Sequence, residues 1–364
     1  CAPTGRSSRR LTAAGRHRRS CASRENHRVA HRCGLWPHVV YSLVRRVRMR
    51  KLIFVRMTMS RRNHLSANRS LARWGAGALL TTAGLVVSQQ GWATEGGIGR
   101  PITGMQVTPY AGVVPPTDDW IVSATTIYYE GSLGASKTIP IAGQITAGID
   151  ATVLYTIVNA VKTWGITAGG WNFASSFGVP FQYTDISSFH GRLPNDHNTQ
   201  FADLFFTPIV AGYHLTKTDH IALSVQIYAP TGAYSTSRLA NAGQNTWTFT
   251  PTVAYTKLFP KEEIELSVNY GIGFYTANSD THYHNAPVSV LDVLALKRFG
   301  GWGVGVVGGY IQQLGHDSGG LADITGGNQG HSVGLGPMVT WSGKLQKTPV
   351  SASLRWVNEF HVSN

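Results

Sequence analysis

After residue 118 the chain repeats one pattern: eleven segments alternate apolar and polar residues with a period of two, and the connectors between them alternate long and short. From Ile264 to Tyr275, Ile264, Leu266, Val268, Tyr270, Ile272 and Phe274 fall on one parity, and Glu265, Ser267, Asn269, Gly271, Gly273 and Tyr275 on the other. A strand sends successive side chains to opposite faces, so such a segment has one apolar face and one small or polar face. The pattern predicts strands near 119–130, 143–159, 164–179, 201–216, 220–230, 246–258, 263–276, 287–298, 302–314, 331–342 and 348–360. The connectors after every second strand are short: Ala160–Thr163, Lys217–Asp219, Phe259–Glu262, Phe299–Gly301 and Gly343–Lys347. Those between are longer, as in Pro180–Gln200, Thr231–Asn245 and Gly315–Gly330. A soluble sandwich has no reason to sort its loops by side. A membrane barrel does, with short periplasmic turns and long external loops.

The faces agree with a wall that meets lipid. Trp247, Phe249, Val253 and Tyr255 alternate with Thr248, Thr250, Thr252, Ala254 and Thr256. Val333, Leu335, Val339 and Trp341 alternate with Ser332, Gly334, Gly336, Thr340 and Ser342. In hydrocarbon every backbone polar group needs an internal partner, so a spanning sheet must close on itself. Trp120, Trp164, Trp302 and Trp341 sit at strand ends facing the short turns and read as an aromatic girdle, since amphipathic rings suit the lipid interface. Pro208, Pro251 and Pro337 lie inside strands, where each removes a ladder hydrogen bond; bulges or bends at one level of the wall would accommodate them.

The first part of the chain is different material. Residues 1–73 hold 19 Lys or Arg and a single acid, Glu25, whereas residues 94–364 hold 13 Lys or Arg against 17 Asp or Glu. The strong positive charge therefore belongs to the leader and the body is mildly acidic. A basic arm could bind nucleic acid, but no nucleic-acid-binding module accompanies it, and no nucleic-acid partner is expected. Residues 1–59 read as a basic leader from an over-extended N-terminus, with too few apolar residues to order it. Residues 60–93 read as a secretory signal: Arg61, Arg62, Arg69 and Arg73, then an apolar run from Trp74 to Val87, then a Gly91–Ala93 cleavage site with Thr94 beginning the mature protein. Cys1, Cys21 and Cys33 all precede that site, so the body has neither a disulfide framework nor a thiolate metal site. No later run approaches the ~18 apolar residues of a membrane helix. A secreted, cysteine-free, glycine- and aromatic-rich β protein fits the outer membrane of a Gram-negative bacterium. Residues 94–117, rich in Gly and Pro, are a candidate plug, and 118–364 the barrel.

Several short motifs lie in order along the body. They are Pro230-Thr231-Gly232-Ala233-Tyr234, Asn241-Ala242-Gly243-Gln244-Asn245-Thr246-Trp247 with Pro251, Tyr310-Ile311-Gln312-Gln313-Leu314, Gly334-Leu335-Gly336-Pro337 and Trp356-Val357-Asn358-Glu359-Phe360, preceded by Val113-Val114-Pro115-Pro116. In this sequence and spacing they resemble the Gram-negative outer-membrane family named for a meta-pathway of phenol degradation, with its SphA-like transporters. The resemblance covers roughly 94–364. It implies a β-barrel that passes hydrophobic or aromatic compounds and is assembled by the outer-membrane machinery, which reads a final aromatic residue. The family's closing strand is not found before Asn364.

Other chemistry is sparse. His282, His284, His316 and His331 could meet as metal ligands only if the loops brought them together; solvated loop histidines are the simpler reading, and no metal or cofactor is expected. A hydrolase would need Ser and His converging on one wall, and no G-x-S-x-G is present, so no enzyme is expected. A secreted β-sandwich would lack the loop sorting. Arg355 and Glu359 share a face opposite Val350, Ala352, Leu354 and Trp356. A charge facing mid-membrane lipid costs about 2–4 kcal/mol for Arg, so both should face the lumen, as a charged constriction or as a brace. Tyr228, Tyr275 and Tyr310 are candidate solute contacts, because a phenol ring offers an apolar face and a hydrogen-bonding tip.

The expected fold is an all-β antiparallel transmembrane barrel of about 12 strands when complete, with eleven present, its partners the lipid bilayer and small hydrophobic solutes. Even strand numbers bring both termini to the periplasmic side, so one further strand of roughly 15 to 25 residues with its loop is expected. The expected function is passive uptake of small hydrophobic or aromatic molecules. A narrow general porin for polar solutes is the alternative.

Overall fold

The computed structural model describes residues 56–62, 95, 99–190 and 195–363. The apolar run, the cleavage site, Cys1, Cys21, Cys33 and the leader apart from Arg56–Arg62 lie outside the described residues. The chain folds into one antiparallel sheet that curls around a lumen. Its strands are β1 (Arg56–Arg62), β2 (Asp119–Ile141), β3 (Gln144–Ala168), β4 (Trp171–His190), β5 (Asp196–Phe201), β6 (Phe205–His214), β7 (Asp219–Tyr228), β8 (Thr248–Phe259), β9 (Ile264–Tyr275), β10 (Val288–Phe299), β11 (Trp302–Gln313), β12 (His331–Leu345), β13 (Thr348–Arg355) and β14 (Asn358–Ser363). A single turn, α1 (Ala322–Thr325), interrupts the last long loop. Each strand pairs with its chain neighbour around the wall, with two exceptions: β6 follows β4 while the short β5 lies on the upper part of β4, and β14 pairs with β12 beyond the end of β13. All eleven predicted strands are present, the last divided into β13 and β14.

The twelfth position is filled from upstream. β1 lies between β2 and β13, with Met59 opposite both Val122 and Val350. The sequence assigns Arg56–Arg62 to the leader and to the start of the signal; in the structure these seven residues instead join the sheet. There β1 pairs with the edges of both β2 and β13, and hydrocarbon does not admit an open edge.

Side chains divide as the alternation requires. On β9, Ile264, Leu266, Tyr270 and Phe274 are exposed on the outside, and Glu265, Ser267, Gly271, Gly273 and Tyr275 are buried inside. Trp120, Trp164 and Trp302 stand half-exposed on the outer face near the short turns, and Trp341 is cross-strand partner to Trp302. Trp247, Phe249, Phe274, Tyr310, Trp356 and Phe360 form a second exposed aromatic row near the long loops. Phe249 and Phe259 lie ten residues apart on β8. That is about 33 Å along a strand and about 25 Å along the membrane normal at a ~40° tilt, the height of an outer-membrane apolar band.

Two connectors differ from the sequence reading. Ala160–Thr163 is not a turn: β3 runs on to Ala168 and reverses at Gly169–Gly170, after a register shift between Thr163 and Thr167. Both glycines have positive φ, the left-handed pair that a two-residue hairpin requires. The first long connector is likewise a continuation of strand, β2 and β3 extending to a tight turn at Ala142–Gly143. The lengthened ribbon packs Ile139, Ile141 and Ile149 against Leu239 and Ala240 of the loop after β7. The three prolines lie on the outer face at interruptions of the ladder. Pro208 sits in a bulge between Phe206 and Val210, Pro251 faces a gap between Phe249 and Thr252 in the pairing with β9, and Pro337 accepts from the Trp356 N–H where β13 gives way to β14.

Val253 is at the centre of β8 facing outward, and Thr252 beside it faces inward. Val253→Arg should cost about 2–4 kcal/mol and Thr252→Arg much less. Urea titration of the protein folded into vesicles measures the difference.

Candidate functional site

The inner face of β10 shows what fills the lumen. Val288, Val290, Leu294 and Leu296 are buried on it, although an inward face bathed in water would be polar. They pack with Val107 of the segment preceding β2, together with Val307, Met338 and Val357. Residues 99–117 run inside the wall without forming strand or helix, so their backbone groups need other partners. Side chains of β8 to β14 supply them. Asp292 accepts from the N–H groups of Gly104 (2.9 Å) and Gln106 (2.6 Å). Arg355 donates to the carbonyls of Gly104 and, at 2.8 Å, Val107. Glu265 accepts from the Tyr110 N–H, and Thr256 from the Gly112 N–H at 3.0 Å. Glu359 accepts from Thr103 and from Ser332 (2.7 Å). Arg298 pairs with Glu265 and covers the Tyr110 ring at 4.5 Å. A Cβ at Gly309 would lie 2.0 Å from Asp292 Oδ1 and 2.7 Å from the Gly104 nitrogen, so only glycine permits this approach.

The segment is thus held against one side of the lumen. On the other side, towards β2, β3, β4, β6 and β7, a cavity of about 400 Å³ remains. Its walls are Ile127, Val153, Tyr155, Ile157, Phe205 and Tyr228; Ile102 and Met105 of the segment face them. Ile141, Ile186, Tyr234 and Leu239 bound it towards the long loops. Below it, Val114 packs among Ala174, Ala222 and Ala254.

Three charged residues border the cavity, and each is engaged. Arg100 pairs with Asp203 at 3.0 Å, donates to Thr248 Oγ1 (2.6 Å) and the Thr246 carbonyl (2.8 Å), and lies 4.6 Å over the Tyr228 ring. Asp203 also accepts from the N–H groups of Gly232 (2.8 Å) and Gln244 (2.9 Å), which ties the loop after β7 to the wall. Glu95 accepts from Asn278 (2.9 Å), Thr281 (3.1 Å) and the Gly143 N–H (3.3 Å), and burial raises its carboxyl above the ordinary range.

The residues singled out from sequence separate into groups. Tyr228 lines the cavity. Tyr275 faces inward but packs in the cluster around Val107, away from the cavity. Tyr310 is on the outer face, 39% exposed, and is therefore corrected from a lumen contact to a wall residue; both ladders of β11 run through 302–310 without a register shift, which puts it on the parity of Trp302, Val304 and Val306. Arg355 and Glu359 face the lumen, where both hold the N-terminal segment. The sequence reading missed Arg100, Asp203, Asp292 and Tyr155. Asp292 carried a signal, as an acid in a strand apolar on both faces; Arg100 and Asp203 lie in irregular segments without periodicity. His282, His284, His316 and His331 do not gather: among the described residues no three His, Cys, Asp or Glu side chains form a candidate metal site.

The long loops are tied by Asp317, which accepts from Tyr283 Oη (2.6 Å), the Ala286 N–H (2.8 Å) and Gln313 Nε2 (2.6 Å). Burial outweighs these donors and pushes its carboxyl up to about 6.

The sequence profile of the family described as "Putative MetA-pathway of phenol degradation" matches residues 135–364. The chain belongs to this family. Among solved structures it is similar to the COG4313 outer membrane channel from Pseudomonas putida F1, at 16% identity and a TM-score of 0.52 over 70% of this chain and all of that one. A Pseudomonas aeruginosa FadL homologue matches at 9% identity and a TM-score of 0.32, over 84% of this chain and 89% of that one. No curated protein sequence matches. The family member described here therefore has the fold of an outer-membrane β-barrel channel.

Two outcomes follow from this geometry. Arg355→Ala strips two buried carbonyls of their donor inside the lumen, at about 1–3 kcal/mol for each one left unsatisfied. Residues around Gly104 should detach, so a cysteine at Gln106 becomes open to a hydrophilic thiol reagent and single-channel conductance rises. For Asp317, a folded-state value above the ordinary 3.8 means its contribution is complete below about 4 and is lost as pH rises through about 6. Amide exchange at Tyr283–Ala286, corrected for intrinsic rates, should be slower relative to neutral pH below that window, and Asp317→Asn should remove the dependence.

Proposed function

We propose that this protein is a passive outer-membrane channel for small, uncharged, largely apolar molecules. The carrying observation is the cavity itself. Its volume of about 400 Å³ falls in the usual range for small-molecule sites, and its walls combine aliphatic and aromatic side chains with uncharged polar ones such as Thr125, Gln182 and Gln226. Asp203 neutralises Arg100 at its border, so an anionic solute entering it would lose hydration without gaining a free counter-charge. An engineered apolar cavity of about 150 Å³ already holds benzene, so this one has room for a substituted ring. Solute enters among the long loops, rests against Tyr228 and its neighbours, and leaves through the periplasmic mouth or the wall. No cofactor or energy source is part of this reading. The family's description, which names phenol degradation, fits a solute of this kind.

The test pairs two assays. Gram-negative cells with few porins, expressing the protein, should take up a neutral aromatic such as toluene several-fold faster than control cells and benzoate no faster. Vesicles carrying the protein should swell slowly in arabinose. Fast arabinose entry without aromatic preference would establish a narrow general porin instead.

A further inference from the structure

Most polar side chains around the lumen have assigned partners. Gln182 donates to Thr184 Oγ1 at 2.6 Å, Asp203 takes Arg100 and two backbone donors, and Tyr234 Oη accepts from Asn278 at 2.8 Å. Asn159 Oδ1 on the cavity wall has none among the described residues, and among the cavity's tyrosines Tyr155 is the exception. It stands on the inner face of β3 between Ile127 of β2 and Gln182 of β4, and it lines the cavity. Its ring packs against Ile127, which Ile102, Met105 and Ile157 also touch. Its hydroxyl has no hydrogen-bond partner among the described residues. Tyr155 is half-buried, and tyrosine is the residue that offers an apolar body with a polar tip. A phenylalanine would pack equally well against Ile127, so packing does not account for the hydroxyl.

We infer that Tyr155 is the specificity-determining residue of the channel: its hydroxyl hydrogen-bonds a single hydroxyl or carbonyl group on a neutral aromatic solute, favouring mono-oxygenated rings over plain hydrocarbons. This rests on the reading of the cavity as the solute site and sharpens it. The Ile127, Ile157 and Met105 surfaces take the ring, and the tyrosine tip takes the oxygen. Because the phenolic hydroxyl both donates and accepts, a phenol and an aryl ketone are both served. A carboxylate is not, since one neutral donor does not replace its hydration.

The experiment compares p-cresol with p-xylene, which differ by a hydroxyl in place of a methyl. Full-length protein in lipid nanodiscs is dialysed to equilibrium against each, with empty nanodiscs as the reference. Wild type should bind both and bind p-cresol more tightly. Tyr155→Phe, checked for folding by heat-modifiable mobility, should lose about three- to tenfold in p-cresol affinity, the worth of one neutral hydrogen bond, and keep its p-xylene affinity. Equal losses for both ligands would make Tyr155 a packing residue, and an unchanged p-cresol affinity would remove its role; either overturns the inference while leaving the cavity as a solute site. Binding of neither ligand by wild type would overturn the cavity reading itself.

Discussion

The structure depends on how the backbone of residues 99–117 is satisfied. This segment crosses the lumen without a strand or helix of its own, and buried N–H and C=O groups left unpaired are costly. The wall solves this with side chains at fixed inward positions: Asp292, Glu265 and Thr256 accept, and Arg355 donates. Asp292 and Arg355 grip Gly104 from its two sides, one at the nitrogen and one at the oxygen. A charge this buried is tolerable only when hydrogen-bonded, and here the segment supplies the bonds. The segment and the charged residues therefore account for each other.

The asymmetry of that arrangement makes the cavity. All of these anchors lie on β8 to β14, and part of the opposite wall, β2 to β7, faces the cavity with aliphatic, aromatic and uncharged polar side chains. Arg100 extends the same logic to the loops: through Asp203 it fixes the loop after β7 over the cavity. One side of the lumen is thus filled around the segment, and the other keeps the cavity. On the outer face the constraint is simpler, since lipid admits neither open edges nor uncompensated charge.

The wall was legible in the sequence because both of its rules are local. Alternation in Ile264–Tyr275 and sorted connectors fix strand faces and sidedness, and both reappear. The turn near Ala160 was misplaced because its polar residues mimic a turn while Gly169–Gly170 supplies the backbone that makes one. Arg355 and Glu359 were placed inward on cost alone, correctly, but their partners could not be named because those lie some 250 residues earlier, in Thr103, Gly104 and Val107. Tyr310 was misassigned by residue type, where parity with Trp302 would have sent it outward. Tyr155 could not be distinguished among 14 tyrosines, since what marks it is a place on the cavity wall with no hydrogen-bond partner for its hydroxyl among the described residues.

The division of the lumen is the central claim, and a heavy atom can locate the open half. Crystals of the protein soaked with 4-bromophenol should show anomalous bromine signal between Ile102 and Met105 of the segment and Ile127, Tyr155 and Phe205 of the wall. Signal confined to the outer surface, or lying between the segment and the β10–β13 wall, would contradict the account.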